Sequence, residues 1–281
     1  MGPASRVVVA ILIVAGVAGV LGGVLWWRHQ QTPPPLPPPA PVLAAPPAPA
    51  DVAPVVAEPA IKHPLPPAEA ESNAAGLPSL AEADGYITDA LTKLLGRKAV
   101  LAFLDVDGFA RRFVTTVDNL ANERASPQLW PVRPTPGRFL TEAGGGGSAI
   151  SARNAERYAP LVHFVETVDS RRAAGLYRRL YPLFQQAYEE LGYPGKYFND
   201  RVVEVIDHLL ATPDLPEPVA VKLIEVAGAA HPGHLYQFAD PALEARSAGQ
   251  KILLRVGHGN AERLKTKLAE VRAQITQRPP R

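Results

Sequence analysis

The side chains best suited to chemistry crowd into one stretch of the chain. Seven of the sixteen Tyr and Phe residues fall within residues 177–198. Tyr177, Tyr181, Phe184 and Tyr188 stand at i, i+4, i+7 and i+11, which places them on one continuous helical face. Such a face forms a core seam when its phenols find partners, and Asp118, Arg201 and Asp207 are the groups within reach of a buried network, together with Arg112. The other use of such a face is a groove whose rings stack on a sugar or a proline-rich peptide. Just downstream, Glu204, Asp207 and His208 stand at i, i+3 and i+4, two carboxylates and an imidazole that could share a helix face and move protons if burial separated their pKa values.

Other reactive patterns are weaker. A di-iron bundle wants Glu-x-x-His, and Glu204 to His208 has the wrong spacing, so no metal site is expected. The chain has no cysteine, no Gly-x-Ser-x-Gly elbow and no P-loop, and no cofactor is expected either. If the protein is an enzyme, the chemistry open to it is that of a hydrolase or lyase with two carboxylates in a cleft, drawn from Glu166, Asp169, Glu204 and Asp207. No catalytic residue is assigned on that basis. The favoured reading is an interaction or scaffold domain whose binding candidates are Arg112, Asp118, Tyr177, Tyr181, Arg201, Asp207 and His208.

The elements that must hold these residues are mostly helical. Ser79-Leu80-Ala81-Glu82 has the form of a capping box, starting a helix with Ile87, Leu91, Leu94 and Leu95 on its apolar positions and Gly96 as its stop. A second helix over about 107–121 carries Phe109, Phe113, Val117 and Leu120 on one face. Residues 122–151 read as irregular, with short strands near 138–141 and 148–150 around the glycine run at 144–147. Asp169 or Ser170 caps the longest helix, to Leu191, and Pro182 is expected to kink or split it. Asn199 or Asp200 opens a helix through Leu210. Residues 219–226 and 235–238 read as strands, Asp240-Pro241 starts a helix toward Arg255, and Asn260 caps the last helix. The fold class is a single, mostly α globular domain with minor short strands, over residues 79–277 with a tail at 278–281.

Ahead of that domain the composition changes. The chain of 281 residues carries 31 prolines, and 16 of them lie in residues 31–78. Residues 28–78 therefore read as a Pro/Ala-rich disordered linker, which if wholly polyproline II over 31–78 would reach about 150 Å. Residues 7–27 are an uncharged apolar run ending in Trp26-Trp27-Arg28, long enough for one transmembrane signal anchor after a short tail at 1–6. Ala15, Gly19 and Gly23 recur at small-xxx-small spacing, a face through which two spans could form a weak homodimer, although such residues are common in membrane helices. With 29 Lys+Arg against 27 Asp+Glu the chain lacks the excess of cations that general nucleic-acid binding requires.

Several segments are also familiar in order. Residues 111–120 (RRFVTTVDNL), 176–184 (LYRRLYPLF), Tyr193-Pro194 with Phe198-Asn199-Asp200-Arg201, Asp207-His208-Leu209-Leu210, Phe238-Ala239-Asp240-Pro241 and Ser247-Ala248-Gly249-Gln250-Lys251 resemble the bacterial domain-of-unknown-function family 3014 over about 79–274. The resemblance implies one intact domain behind a single amino-terminal membrane helix and a proline-rich segment. It implies no activity, cofactor or substrate. The resulting expectation is a single-pass protein of the bacterial inner membrane, its carboxy-terminal domain in the periplasm and its partner an envelope protein or the cell wall.

Overall fold

The computed structural model describes residues 60–65, 76–144, 147–215, 217–224 and 235–276. The apolar run at 7–27, with Ala15, Gly19 and Gly23, lies outside the described residues, as does most of the proline-rich stretch. No described helix is long and apolar enough to cross a membrane.

The apolar positions spaced at three and four become the inward faces of helices. They are α1 (Ala83–Leu95), α2 (Arg97–Phe103), α3 (Phe109–Leu120), α4 (Arg153–Glu166), α5 (Ser170–Glu190), α6 (Phe198–Leu210), α7 (Pro241–Glu244), α8 (Ala248–Arg255) and α9 (His258–Thr276). A four-stranded antiparallel sheet, in the order β1 (Thr141–Gly144), β2 (Gly147–Ile150), β3 (Ala220–Ile224) and β4 (Leu235–Phe238), packs Ala149, Val221 and Phe238 inward. The main core lies where α3, α5, α6 and α9 meet, with α4 against α9. At its centre the rings of Phe113 and Phe184 lie 4.8 Å apart, and Tyr188 and Phe198 5.2 Å. Such tilted pairs add to what burial alone supplies. Where α8 crosses α6 and α3, a Cβ on Gly249 would run into Leu209 Cδ2 and lie 2.9 Å from the Leu120 carbonyl, so only hydrogen fits there.

Several local expectations need correction. Ser79 does not cap α1: its hydroxyl donates to Glu82 Oε2 at 2.8 Å, so the side-chain pair forms, but in a turn that precedes the helix. Pro182 does not split α5. Leu180, Tyr181, Leu183 and Phe184 are buried on both sides of it, and that burial outweighs one missing main-chain bond, a loss of about 3 kcal/mol in an unsupported helix. α4 is an element the sequence reading does not include; it runs through Pro160 and buries Tyr158, Leu161, Val162, Phe164 and Val165. Asp240 accepts from the Ala242 amide as foreseen, but α7 stops at Glu244 and Ser247 caps α8 separately. Asn260 lies inside α9 and donates to the Ala155 and Val256 carbonyls instead of capping. The first strand lies three residues later than expected, at Thr141–Gly144.

Candidate functional site

Two polar centres share the first turn of α6. A helix start leaves several main-chain N–H groups without intrahelical partners. Tyr197, at the cap position, supplies no side-chain cap, and the partners come from α5 instead. The Phe198 amide donates to Gln185 Oε1 at 2.9 Å and the Asn199 amide to the Tyr181 hydroxyl at 3.2 Å. Tyr181 in turn donates to Gln185 Oε1 at 2.9 Å, and Tyr177 donates to Asn199 Oδ1 at 3.1 Å. The two expected tyrosines thus belong to the core seam and also orient the residues at the head of α6. Burial pushes the phenol of Tyr177 far up, with Tyr197 and Asp200 adding to it, and Tyr181 rises for the same first reason. Both remain neutral donors rather than bases at neutral pH.

The groups so oriented grip residues 60–65, a strap contributed by the chain ahead of the domain. The Asp200 carboxylate takes two successive main-chain N–H groups, from Lys62 at 2.9 Å and His63 at 2.7 Å. Asn199 Nδ2 donates to the His63 carbonyl at 2.8 Å and, more weakly, to the Ile275 carbonyl at 3.4 Å. The Leu65 amide donates to the Tyr197 hydroxyl at 2.9 Å. Leu65 itself is buried in the main core. The expectation of a free spacer through residue 78 is therefore corrected for residues 60–65: a short peptide with few apolar groups can be held when a carboxylate satisfies its amides and one leucine enters a core.

One residue along, Arg201 builds a different centre. Its Nε donates to Asp118 Oδ1 at 2.8 Å and its Nη2 to the Asp118 carbonyl at 3.0 Å, while Tyr193 donates to Asp118 Oδ2 at 3.0 Å. Glu204 lies 3.2 Å from Nη1. The Asp118 side chain is 8% exposed and that of Arg201 18%, so this pair is largely out of water. Burial works against the Arg201 charge, but Asp118 and Glu204 outweigh it and raise its pKa. The hydrogen bond to Asp118 holds the proton on Tyr193, and burial pushes neighbouring Tyr188 up to about 12. This centre ties α3, α6 and the turn after α5 together.

The remaining expected residues do not join either centre. Arg112 donates to the carbonyls of Asp107 and Gln128 beside the start of α3. Asp207 pairs with Arg272 of α9 at the surface. His208 Nε2 lies 2.9 Å from Ser247 Oγ, which accepts from the Gln250 amide. The imidazole–hydroxyl pair links α6 to the cap of α8. Glu204, Asp207 and His208, expected to act from one face, have three separate partners. The four carboxylates considered for hydrolysis are likewise engaged apart: Glu166 with Arg263, Asp169 with the Arg171 and Arg172 amides, Glu204 with Arg201 and Asp207 with Arg272. The Arg263 hydrogen bond holds Glu166 below the usual carboxylate range. Two small cavities among the described residues, each about 20 Å³ and room for about one water, are lined by none of these carboxylates. One exposed trio, Asp214, His258 and Glu262, groups ligand-type atoms within 4.8 Å, but the Lys265 ammonium already lies 2.7 Å from Asp214 and 3.1 Å from Glu262.

The family model described as "Protein of unknown function (DUF3014)" matches residues 109–272, more than half of the chain. The chain belongs to this family. No curated protein and no solved structure matches it. The DUF3014 region contains both centres at the head of α6, whereas the strap precedes it. Gln185, Tyr197, Asn199 and Asp200 were not among the expected site residues, because Asn199-Asp200 reads locally as a helix cap. A signal did exist in the strap. Lys62 and His63 are the first basic residues after His29, set between Ile61 and Leu65 in an otherwise bland stretch.

Proposed function

We propose that this member of the DUF3014 family is a membrane-tethered periplasmic interaction or scaffold domain of the bacterial cell envelope. The observation that carries the interaction reading is the grip of Asn199 and Asp200 on the main chain of Lys62 and His63. A folded helical domain that offers a carboxylate, an amide and a phenol to a short irregular peptide has the chemistry of a peptide-binding module. The tether is supported by the apolar run at 7–27 and its Trp-Trp-Arg flank, and the reach by the proline-rich stretch that follows. The domain's near-neutral charge balance suits a protein partner rather than a nucleic acid.

The placement is tested by fusing alkaline phosphatase after Arg281 and, separately, a cytoplasmic reporter at the same point. Phosphatase activity in intact cells with a silent cytoplasmic reporter is the expected outcome. The reverse pattern would place the domain on the cytoplasmic side and overturn the periplasmic part of the proposal.

A further inference from the structure

Every strap group held at the head of α6 is one that any peptide possesses. The bonds use the N–H groups of Lys62, His63 and Leu65 and the carbonyl of His63. The Lys62 side chain is exposed, and Ile61 is 52% exposed. Pro64 occupies the one position between these donors, and a residue preceding proline is disfavoured from helical conformation, so the proline keeps His63 out of competing helix while removing no donor that is used. Selectivity then falls on Leu65, whose side chain is 7% exposed and packed with the core.

Asn199, one of the receiving groups, is braced without the strap. Asn199 is held by the Tyr177 hydroxyl, its amide by Tyr181, and Tyr181 by Gln185, which also bonds Glu189 and the Lys196 carbonyl. The Tyr181 and Tyr197 rings lie 5.3 Å apart. A receptor fixed by its own bonds loses little freedom on binding, which favours exchange of one peptide for another.

Resting on the interaction reading above, we propose that residues 197–200 form a peptide-recognition site that the strap occupies in cis. Its partner is a short irregular segment with two successive main-chain N–H groups, then proline, then a large apolar residue. Leu65 and Gly76 are joined by ten intervening residues, so the strap competes at an effective concentration of order mM, as short tethers do. A partner must therefore bind tightly, or be locally concentrated, to displace it. Displacement would also lengthen the tether, since the chain would leave the domain near residue 76 instead of residue 60.

The probe is a fluorescein-labelled peptide of residues 58–67 (EPAIKHPLPP), added to the purified full-length protein in detergent. A Lys62→Pro/His63→Pro variant removes the two strap donors to Asp200 and leaves the domain sequence untouched. Fluorescence polarisation should show the peptide binding this variant about tenfold or more tightly than the wild type, because the competitor in cis is weakened. Adding Asp200→Asn should abolish that gain. A control peptide with proline at both donor positions should fail to bind the same variant, and this comparison does not depend on how any domain substitution folds. Equal binding of the two peptides, or equal binding by wild type and strap variant, would overturn the proposal. Neither result depends on which side of a membrane the domain occupies, so failure here and failure of the fusion test are separable.

Discussion

Asp118 and Asp200 are both carboxylates engaged at the first turn of α6, and they do different work. Asp118 lies on α3, nearly buried, and receives a guanidinium and a phenol, so its charge is matched inside the fold. Asp200 lies on α6 itself, half-buried, where the positive end of the helix dipole favours a carboxylate, and it receives two main-chain amides from outside the domain. A matched buried charge cannot be released without leaving its partner stranded in a poor solvent. An amide-bound carboxylate near water can exchange its peptide for water or for another peptide at modest loss. The contrast separates a lock from a grip, although Asp200 and Arg201 are neighbours in sequence.

The broadest perturbation is alkali, which reaches both centres. The folded phenols of Tyr177, Tyr181, Tyr188 and Tyr193 titrate above the ordinary value of about 10. Groups whose pKa is raised by folding contribute stability that is complete below the unfolded value and is lost as pH climbs through the folded one. With Tyr188 at about 12, the domain should hold below about pH 10 and unfold as pH rises toward 12, with tyrosinate absorbance and loss of circular dichroism moving together. Tyrosinate forming fully before any loss of helix would contradict the buried placement.

Asp118→Ala should follow in size, lowering stability by about 3 kcal/mol because Arg201, largely out of water, loses its buried carboxylate and keeps only Glu204 and one main-chain carbonyl, read as a shifted urea midpoint. Asp200→Asn should free the strap at a local loss on the order of 2 kcal/mol. Limited trypsin digestion would then cut after Lys62 faster than in the wild type, while the urea midpoint moves little. Tyr193→Phe, which removes one donor from Asp118, should lower stability by about 1 kcal/mol, read as a smaller midpoint shift. Asp207→Asn should be the mildest, at most about 1 kcal/mol, because its pair with Arg272 is open to solvent. An Asp207→Asn loss as large as that of Asp118→Ala would erase the distinction between buried lock and surface pair.

Periodicity made much of this legible. The faces of α3 and α5, the strand at 235–238 and the caps at Asp169 and Asp240 follow from residues three, four or two apart and from short local bonds. What escaped notice depends on partners remote in sequence. The head of α6 is satisfied by Gln185 and Tyr181, so Tyr197, Asn199 and Asp200 could not be read as a site from their own neighbourhood. The strap lies 137 residues from its carboxylate. α4 runs through Pro160, which argues against a helix locally, and only the burial of its face against α9 and the rest of the core overrides that. Asp118 with Arg201 was legible as types able to pair, whereas Arg112 and Asp207, equally able, found nearer partners.

The most direct test follows main-chain hydrogen exchange at Lys62, His63 and Leu65 in the intact protein, comparing wild type with Asp200→Asn. The account predicts marked slowing at Lys62 and His63 in the wild type, lost in the variant while amides of α5 and α9 stay protected. Exchange at Lys62 and His63 as fast as in an unstructured peptide, with the domain folded, would contradict it.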